Sequence, residues 1–247
     1  MRFLIRFSYD GTNFKGYQKQ DGYRTIQGEL EDALYKINNN KKVKIVAAGR
    51  TDKGVHAIDQ VAHLDLDVDI TPYKLKRALN SYLSDEIHIN SAMEVPDDYF
   101  VRYHVLRKEY HYYINMKEYN PMMRNYIYQH GYLLNVSRMR KAIHFFEGEH
   151  DFRAFVTENN IKENCVRTIY EASITRKNDI LDIKFVGSGF LRYQVRNMVG
   201  ALLKVGTGKI EPYEVKRILE SKVRGKNGAT AKPCGLYLVK TTLESDI

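Results

Sequence analysis

Arg2 to Tyr9 alternates along the chain, with Phe3, Ile5, Phe7 and Tyr9 on one side, the period-two pattern of a strand with one buried face. Ile26, Leu30, Ala33, Leu34 and Ile37 then fall at helical spacing and end at Asn38-Asn39-Asn40. A strand near Val43 to Ala48, a loop through Gly49 to Ala57 and a strand near Gln60 to Leu66 come next. Thr71-Pro72 supplies a capping side chain and a proline at the first helical position, opening a helix with Leu75, Ala78, Leu79, Tyr82 and Leu83 inward. Ile87 to Val95 closes this half as a strand. The order is β-α-β-β-α-β, the ferredoxin-like unit, an antiparallel sheet with both helices on one face.

The second half has the same order. Lys108 to Asn115 reads as a strand, and Ser137 caps a helix with Ala142, Ile143 and Phe146 inward. Thr168 to Thr175 and Ile180 to Val186 are strands, Phe190 to Val205 is a helix, Pro212 opens a short helix, and Leu236 to Lys240 is the last strand. The pattern therefore predicts an α+β protein of two tandem ferredoxin-like units, residues 1–105 and 106–247, with a cleft between them. The residues themselves show no repeat, so the duplication rests on the order of elements.

Charge adds a preference for a partner. Among 247 residues, 39 Lys and Arg stand against 30 Asp and Glu, a net charge of +9. Between Ile183 and Ile210 there are five basic residues, Lys184, Arg192, Arg196, Lys204 and Lys209, and no acid. Ser221 to Leu243 repeats this with Lys222, Arg224, Lys226, Lys232 and Lys240. The chain also has 19 Tyr, 10 Phe and no Trp. Cations neutralise phosphates and ring faces stack bases, so the mixture suits a nucleic-acid surface; a solvated cationic face with Tyr in the cores is the plainer alternative.

Other chemistries find little support. Cys165 and Cys234 are the only cysteines, in no C-x-x-C spacing, which argues for a reducing compartment and against a thiolate metal centre. The 8 His residues form no H-E-x-x-H motif, and Gly11 to Gly16 has phosphate-loop spacing but continues with Tyr17-Gln18 instead of Lys-Ser/Thr. The apolar run at the N-terminus is too short for a secretory signal, and Met198 to Val205 is too short to span a bilayer, so a cytoplasmic protein free of membrane association is expected.

One loop carries candidate chemistry: Ala47-Ala48-Gly49-Arg50-Thr51-Asp52-Lys53-Gly54-Val55-His56-Ala57. It follows a strand, and Asp52 lies at its tip between Arg50 and Lys53. A carboxylate flanked by cations stays ionised, as a nucleophile must. An ordinary Asp-x-Gly turn would have the same spacing.

Here the residues resemble a known family. Gly49 to Ala57 is similar to the G-R-T-D-x-G-V-H-A motif of the TruA-type tRNA pseudouridine synthases. Tyr9 to Gln20 resembles their opening Y-D-G-T-x-F-x-G-W-Q-x-Q, with Tyr17 in place of Trp, and Lys53 stands where a small residue is frequent. Arg107 to Tyr113 resembles their aromatic strand, Arg196-Asn197-Met198-Val199-Gly200 their R-N-M-V-G helix, and Gly235-Leu236-Tyr237-Leu238 their closing G-L-Y-L. Together these motifs run from the first strand to the last.

The resemblance implies that Asp52 is the nucleophile, that Tyr110 contacts the target base, that Arg196 is the cation paired with Asp52, and that Arg50 helps extrude the flipped uridine. It implies isomerisation of uridine to pseudouridine in the tRNA anticodon arm, at about positions 38 to 40, by a homodimer that uses no metal and no cofactor. A catalytically silent RNA-binding protein of the same fold and a base-excising hydrolase using Asp52 are the competing readings.

Overall fold

The computed structural model describes residues 1–157, 161, 163–223 and 229–246. In chain order its elements are β1 (Arg2–Tyr9), α1 (Ile26–Ile37), β2 (Val46–Ala47), β3 (His56–Asp65), α2 (Pro72–Tyr82), β4 (Ile87–Val95), β5 (Val105–Asn115), β6 (Tyr128–Gln129), α3 (Val136–Ile143), β7 (Gly148–Asp151), β8 (Val166–Lys177), β9 (Ile180–Gly187), α4 (Gln194–Gly206), α5 (Pro212–Ser221) and β10 (Leu236–Leu243). The chain is α+β, as its patterning predicts. It divides into two units, Met1–Leu106 with Tyr237–Ile247, and Arg107–Leu236.

In the first unit β1 lies between β3 and β4, antiparallel to both. β2 pairs antiparallel with the later part of β3, while β10 runs parallel to its start through Tyr237 and Leu238, opposite His56 and Ala57. The final strand, expected in the second unit, thus groups with the first. Thr25 caps α1 by accepting the Gly28 N–H at 3.2 Å, and Thr71 caps α2 by accepting from Lys74 at 3.4 Å; such caps are each worth about 1 kcal/mol. Ile26, Leu30, Ala33 and Leu34 bury the expected face of α1.

Three expectations for this unit need correction. Tyr82 does not face inward: it is 51% exposed, with the Lys36 ammonium 5.2 Å from its ring centre. The strand near Val43 to Ala48 shrinks to two residues, and the guanidinium of Arg102 takes the Ala47 carbonyl at 3.0 Å. β1 also buries Leu4 on its other side, between Arg2 and Arg6, where it joins a second cluster with Ala48, Val61, Val101 and Leu243.

The second unit holds an antiparallel sheet in the order β5-β9-β8-β7, with β6 parallel to β5. Tyr110, Tyr112 and Ile114 of β5, Leu181, Ile183 and Phe185 of β9, and Ala172 and Ile174 of β8 are buried. So are Met139, Ala142 and Ile143 of α3 and Met198, Val199 and Leu202 of α4. On β5 the alternate residues Glu109, His111 and Tyr113 stay only partly buried. Asn135, rather than Ser137, caps α3 by accepting the Arg138 N–H at 3.1 Å, and α3 yields to a 3₁₀ turn at His144–Phe146. Four residues expected in α4 lie outside it, because Tyr193 takes a left-handed φ of 64° immediately before the helix.

Candidate active site

Asp52 sits in the loop between β2 and β3, partly buried, with Arg50 and Lys53 exposed on either side. The backbone around it is held on several sides. Thr51 is buried, and its Oγ1 lies 2.8 Å from the Tyr9 hydroxyl on β1. Burial pushes the Tyr9 phenol up to about 12, so it remains neutral and able to hydrogen-bond. The Thr51 carbonyl accepts the Tyr17 N–H at 3.1 Å, and the Asp52 carbonyl accepts the Val55 N–H at 3.2 Å. Gln60 donates from Nε2 to the Gly49 carbonyl at 3.3 Å, closing the loop's other end.

A second loop, Asp10 to Gln20, lies directly on this one. Gly11 has no side chain because a Cβ there would overlap the Val55 carbonyl. Gly16 adopts φ +114°, and a Cβ would stand 3.1 Å from the Thr51 carbonyl oxygen and 3.2 Å from the Lys53 nitrogen. The spacing of these two glycines thus serves close backbone approach rather than a phosphate cradle. His56 completes the clamp. It is buried, stacks on Tyr237 with centroids 4.6 Å apart, and places Nδ1 3.2 Å from the Gly11 N–H and 3.1 Å from an Asp10 carboxylate oxygen. Unprotonated, Nδ1 accepts from Gly11; protonated, it donates to Asp10. Tyr9, Thr51 and His56 fall within the quoted motifs, yet neither they nor Gln60 carry a role in the sequence pattern.

Tyr110 and Arg196 belong to the second unit. Tyr110 is buried on β5, opposite Phe185, with its ring edge-on to Phe190 at 5.1 Å. Arg196 occupies the first turn of α4. Its Nε donates to the Ala231 carbonyl at 2.8 Å, and its own carbonyl accepts the Ala231 N–H at 3.0 Å. A Cβ on Gly200, one turn along, would overlap the Ala229 carbonyl, so this glycine lets the 229–231 segment lie against the helix. Asn197 holds both sides, donating to the Phe155 carbonyl at 2.6 Å and accepting from the Thr230 hydroxyl at 2.7 Å. The like-charge pair Arg192 and Arg196 flanks one ring, with guanidinium carbons 5.1 and 5.2 Å from the centre of Tyr193. Of the basic tail, Arg224 and Lys226 lie outside the described residues.

No cluster of three or more His, Cys, Asp or Glu suited to a metal ion occurs among the described residues. No helix among them is long and apolar enough to cross a membrane.

The pattern of the tRNA pseudouridine synthase family matches residues 6–104 and 142–242, which include Arg50, Asp52 and Arg196 but not Tyr110. Proteins named tRNA pseudouridine synthase A are similar to this chain along nearly its whole length. That of Pseudothermotoga lettingae is 46% identical over 239 residues, covering 96% of this chain and 97% of its own. That of Thermosipho melanesiensis is 43% identical, with 97% and 98% covered, and that of Streptococcus pyogenes serotype M1 is 43% identical, with 99% and 100% covered. The chain belongs to the tRNA pseudouridine synthase family. It is an isomerase acting on uridine in tRNA.

Proposed function

We propose that this enzyme converts uridine to pseudouridine in the anticodon arm of tRNA, with Asp52 as the nucleophile. The reaction breaks the N1–C1′ bond and joins C1′ to C5. The C5 hydrogen leaves as a proton and N1 gains one, so the change is redox-neutral and the uracil never departs. Asp52 attacks either the ribose C1′ or the uracil C6, and in both cases the carboxylate must be ionised and held still. A stacked base hides both atoms, so the uridine is flipped out, at a cost of a few kcal/mol that phosphate contacts offset.

The observation that carries this reading is the clamp on the Asp52 backbone. Thr51 is tied to Tyr9 and Tyr17, Val55 lies against Gly11, and His56 is packed on Tyr237. An ordinary surface turn has no use for a buried hydroxyl pair and a glycine-only contact on its two sides. In this reading Arg50, exposed beside the carboxylate, helps extrude the uridine and fill its place. Tyr110 contacts the target base, and Arg196, fastened through Ala231, is a substrate-binding cation.

We further read both units as ferredoxin-like. The first supports this with β1-α1-β2-β3-α2-β4 and the strand order β4-β1-β3-β2. The second has β5-α3-β8-β9-α4 in sequence, interrupted by β6 and β7. The enzyme is taken to act in the cytoplasm as a homodimer, without metal or cofactor.

The test is to incubate unmodified tRNA with the purified protein and map pseudouridine. New pseudouridine in the anticodon arm is expected. Release of free uracil would instead make the enzyme a hydrolase, and binding without any change in the RNA would make it a silent binder.

A further inference from the structure

Tyr110 and Tyr112 share the buried face of β5, and from Tyr112 a run of rings continues toward solvent. The centroid of Tyr128 is 6.3 Å from that of Tyr112, His130 is 6.0 Å from Tyr128, and Tyr132 is 6.1 Å from His130. The run is set up by β6, which pairs with β5 so that Tyr128 lies opposite Ile114, and it ends at Tyr132, 76% exposed.

Cations accompany the rings. The Lys232 ammonium lies 5.9 Å from the centre of the Tyr128 ring, and the Lys232 carbonyl accepts the Tyr112 hydroxyl at 2.8 Å. Burial, helped by the charge of nearby Lys209, lowers the pKa of His130 and so favours a neutral imidazole with a stackable face. Ala231, which fastens Arg196, is the residue next to Lys232, so one short segment ties the α4 cation to the ring run. Two acid-free stretches of sequence, Tyr119 to Phe146 and Ala229 to Lys240, supply Tyr128, His130, Tyr132 and Lys232. Flat faces interleaved with ammonium groups fit an anionic partner with stackable bases. A second copy of a chain with net charge +9 would bring like charges together here.

We propose that Tyr128, His130 and Tyr132, with Lys209 and Lys232, form a docking track for an unpaired stretch of tRNA, bases on the rings and phosphates on the ammonium groups. The identity of the RNA rests on the functional reading above; the track itself rests on the rings and charges.

Binding of an unmodified tRNA transcript, measured across a salt series, tests it without relying on turnover. Tyr132→Ala should weaken binding about fivefold or more, as expected for a lost base stack, while Tyr132→Phe should stay within about twofold. Lys209→Gln with Lys232→Gln should flatten the slope of log affinity against log salt by about 1 to 2 units. Unchanged affinity and slope in all three proteins would overturn the track. If that were joined by a fall in assembled mass on light scattering, the surface would be a contact between copies. A wild-type protein that binds tRNA but forms no pseudouridine would overturn the functional reading and leave the track standing.

Discussion

The Tyr9 hydroxyl and the Thr51 hydroxyl lie 2.8 Å apart, both residues buried, one position before Asp52. This bond joins the first strand of the protein to the loop that carries Asp52. Tyr9→Phe removes it and leaves the Thr51 hydroxyl buried without that partner. We expect about 1 kcal/mol of lost stability in urea melts. We also expect a severalfold drop in kcat with KM nearly unchanged, because a loosened carboxylate loses reactive geometry while the binding groups stay in place. A kcat equal to wild type would show that Asp52 is positioned without this bond.

Tyr17 presents the opposite case. Its N–H holds the Thr51 carbonyl, but its hydroxyl is buried with no hydrogen-bond partner among the described residues, and burial raises its pKa well above the ordinary phenol range. A buried hydroxyl left unpaired costs about 1 to 3 kcal/mol. Tyr17→Phe keeps the ring and the backbone bond and should be as stable as wild type or more so, with turnover preserved. A clear loss of stability in thermal melts would mean that the hydroxyl makes a contact the fold depends on.

The sequence carried the local parts of this picture and missed the distant ones. The inward face of α1 was legible because Ile26, Leu30 and Leu34 recur at helical spacing, which depends on nearby residues alone. Tyr82 fitted the same rule for α2 and failed it, since an amphipathic ring at a helix edge is as well served by water and the Lys36 ammonium as by a core. The start of α4 is not legible in the pattern, because the left-handed backbone of Tyr193 leaves no trace in hydrophobic period. β10 follows the second unit in sequence but groups with the first, because a strand's partner is chosen across the chain: Tyr237 pairs with His56. At the site, Asp52 stood out through its motif, but the supports of its loop did not. Tyr9 meets Thr51 across 42 residues and Gly11 meets His56 across 45, separations that periodicity cannot see.

His111 gives the fold a pH dependence. Its Nδ1 is 2.8 Å from Asp182 and its Nε2 2.8 Å from Glu109. Burial lowers its pKa, but hydrogen bonds and charge from Asp182 and Glu109 outweigh this, and the net shift is upward. The folded state therefore favours the protonated ring. The stability it contributes is fully present below the unfolded value of about 6.5 and is lost as pH rises through the higher folded value. Urea melts on either side of that window should show wild type losing stability with rising pH more than His111→Asn does. Parallel pH profiles for the two proteins would remove His111 as the cause.

Asp52→Asn most directly tests the central claim, that the clamped carboxylate performs the chemistry. The amide is nearly isosteric and a poor nucleophile, so the loop and the tRNA contacts should survive while the reaction stops. The measurement is tritium release from tRNA labelled at uridine C5, made alongside tRNA binding by the same protein. No release above background is expected, with tRNA affinity within about threefold of wild type, equivalent to less than about 1 kcal/mol. Release at the wild-type rate by Asp52→Asn would contradict it and place the reacting group elsewhere.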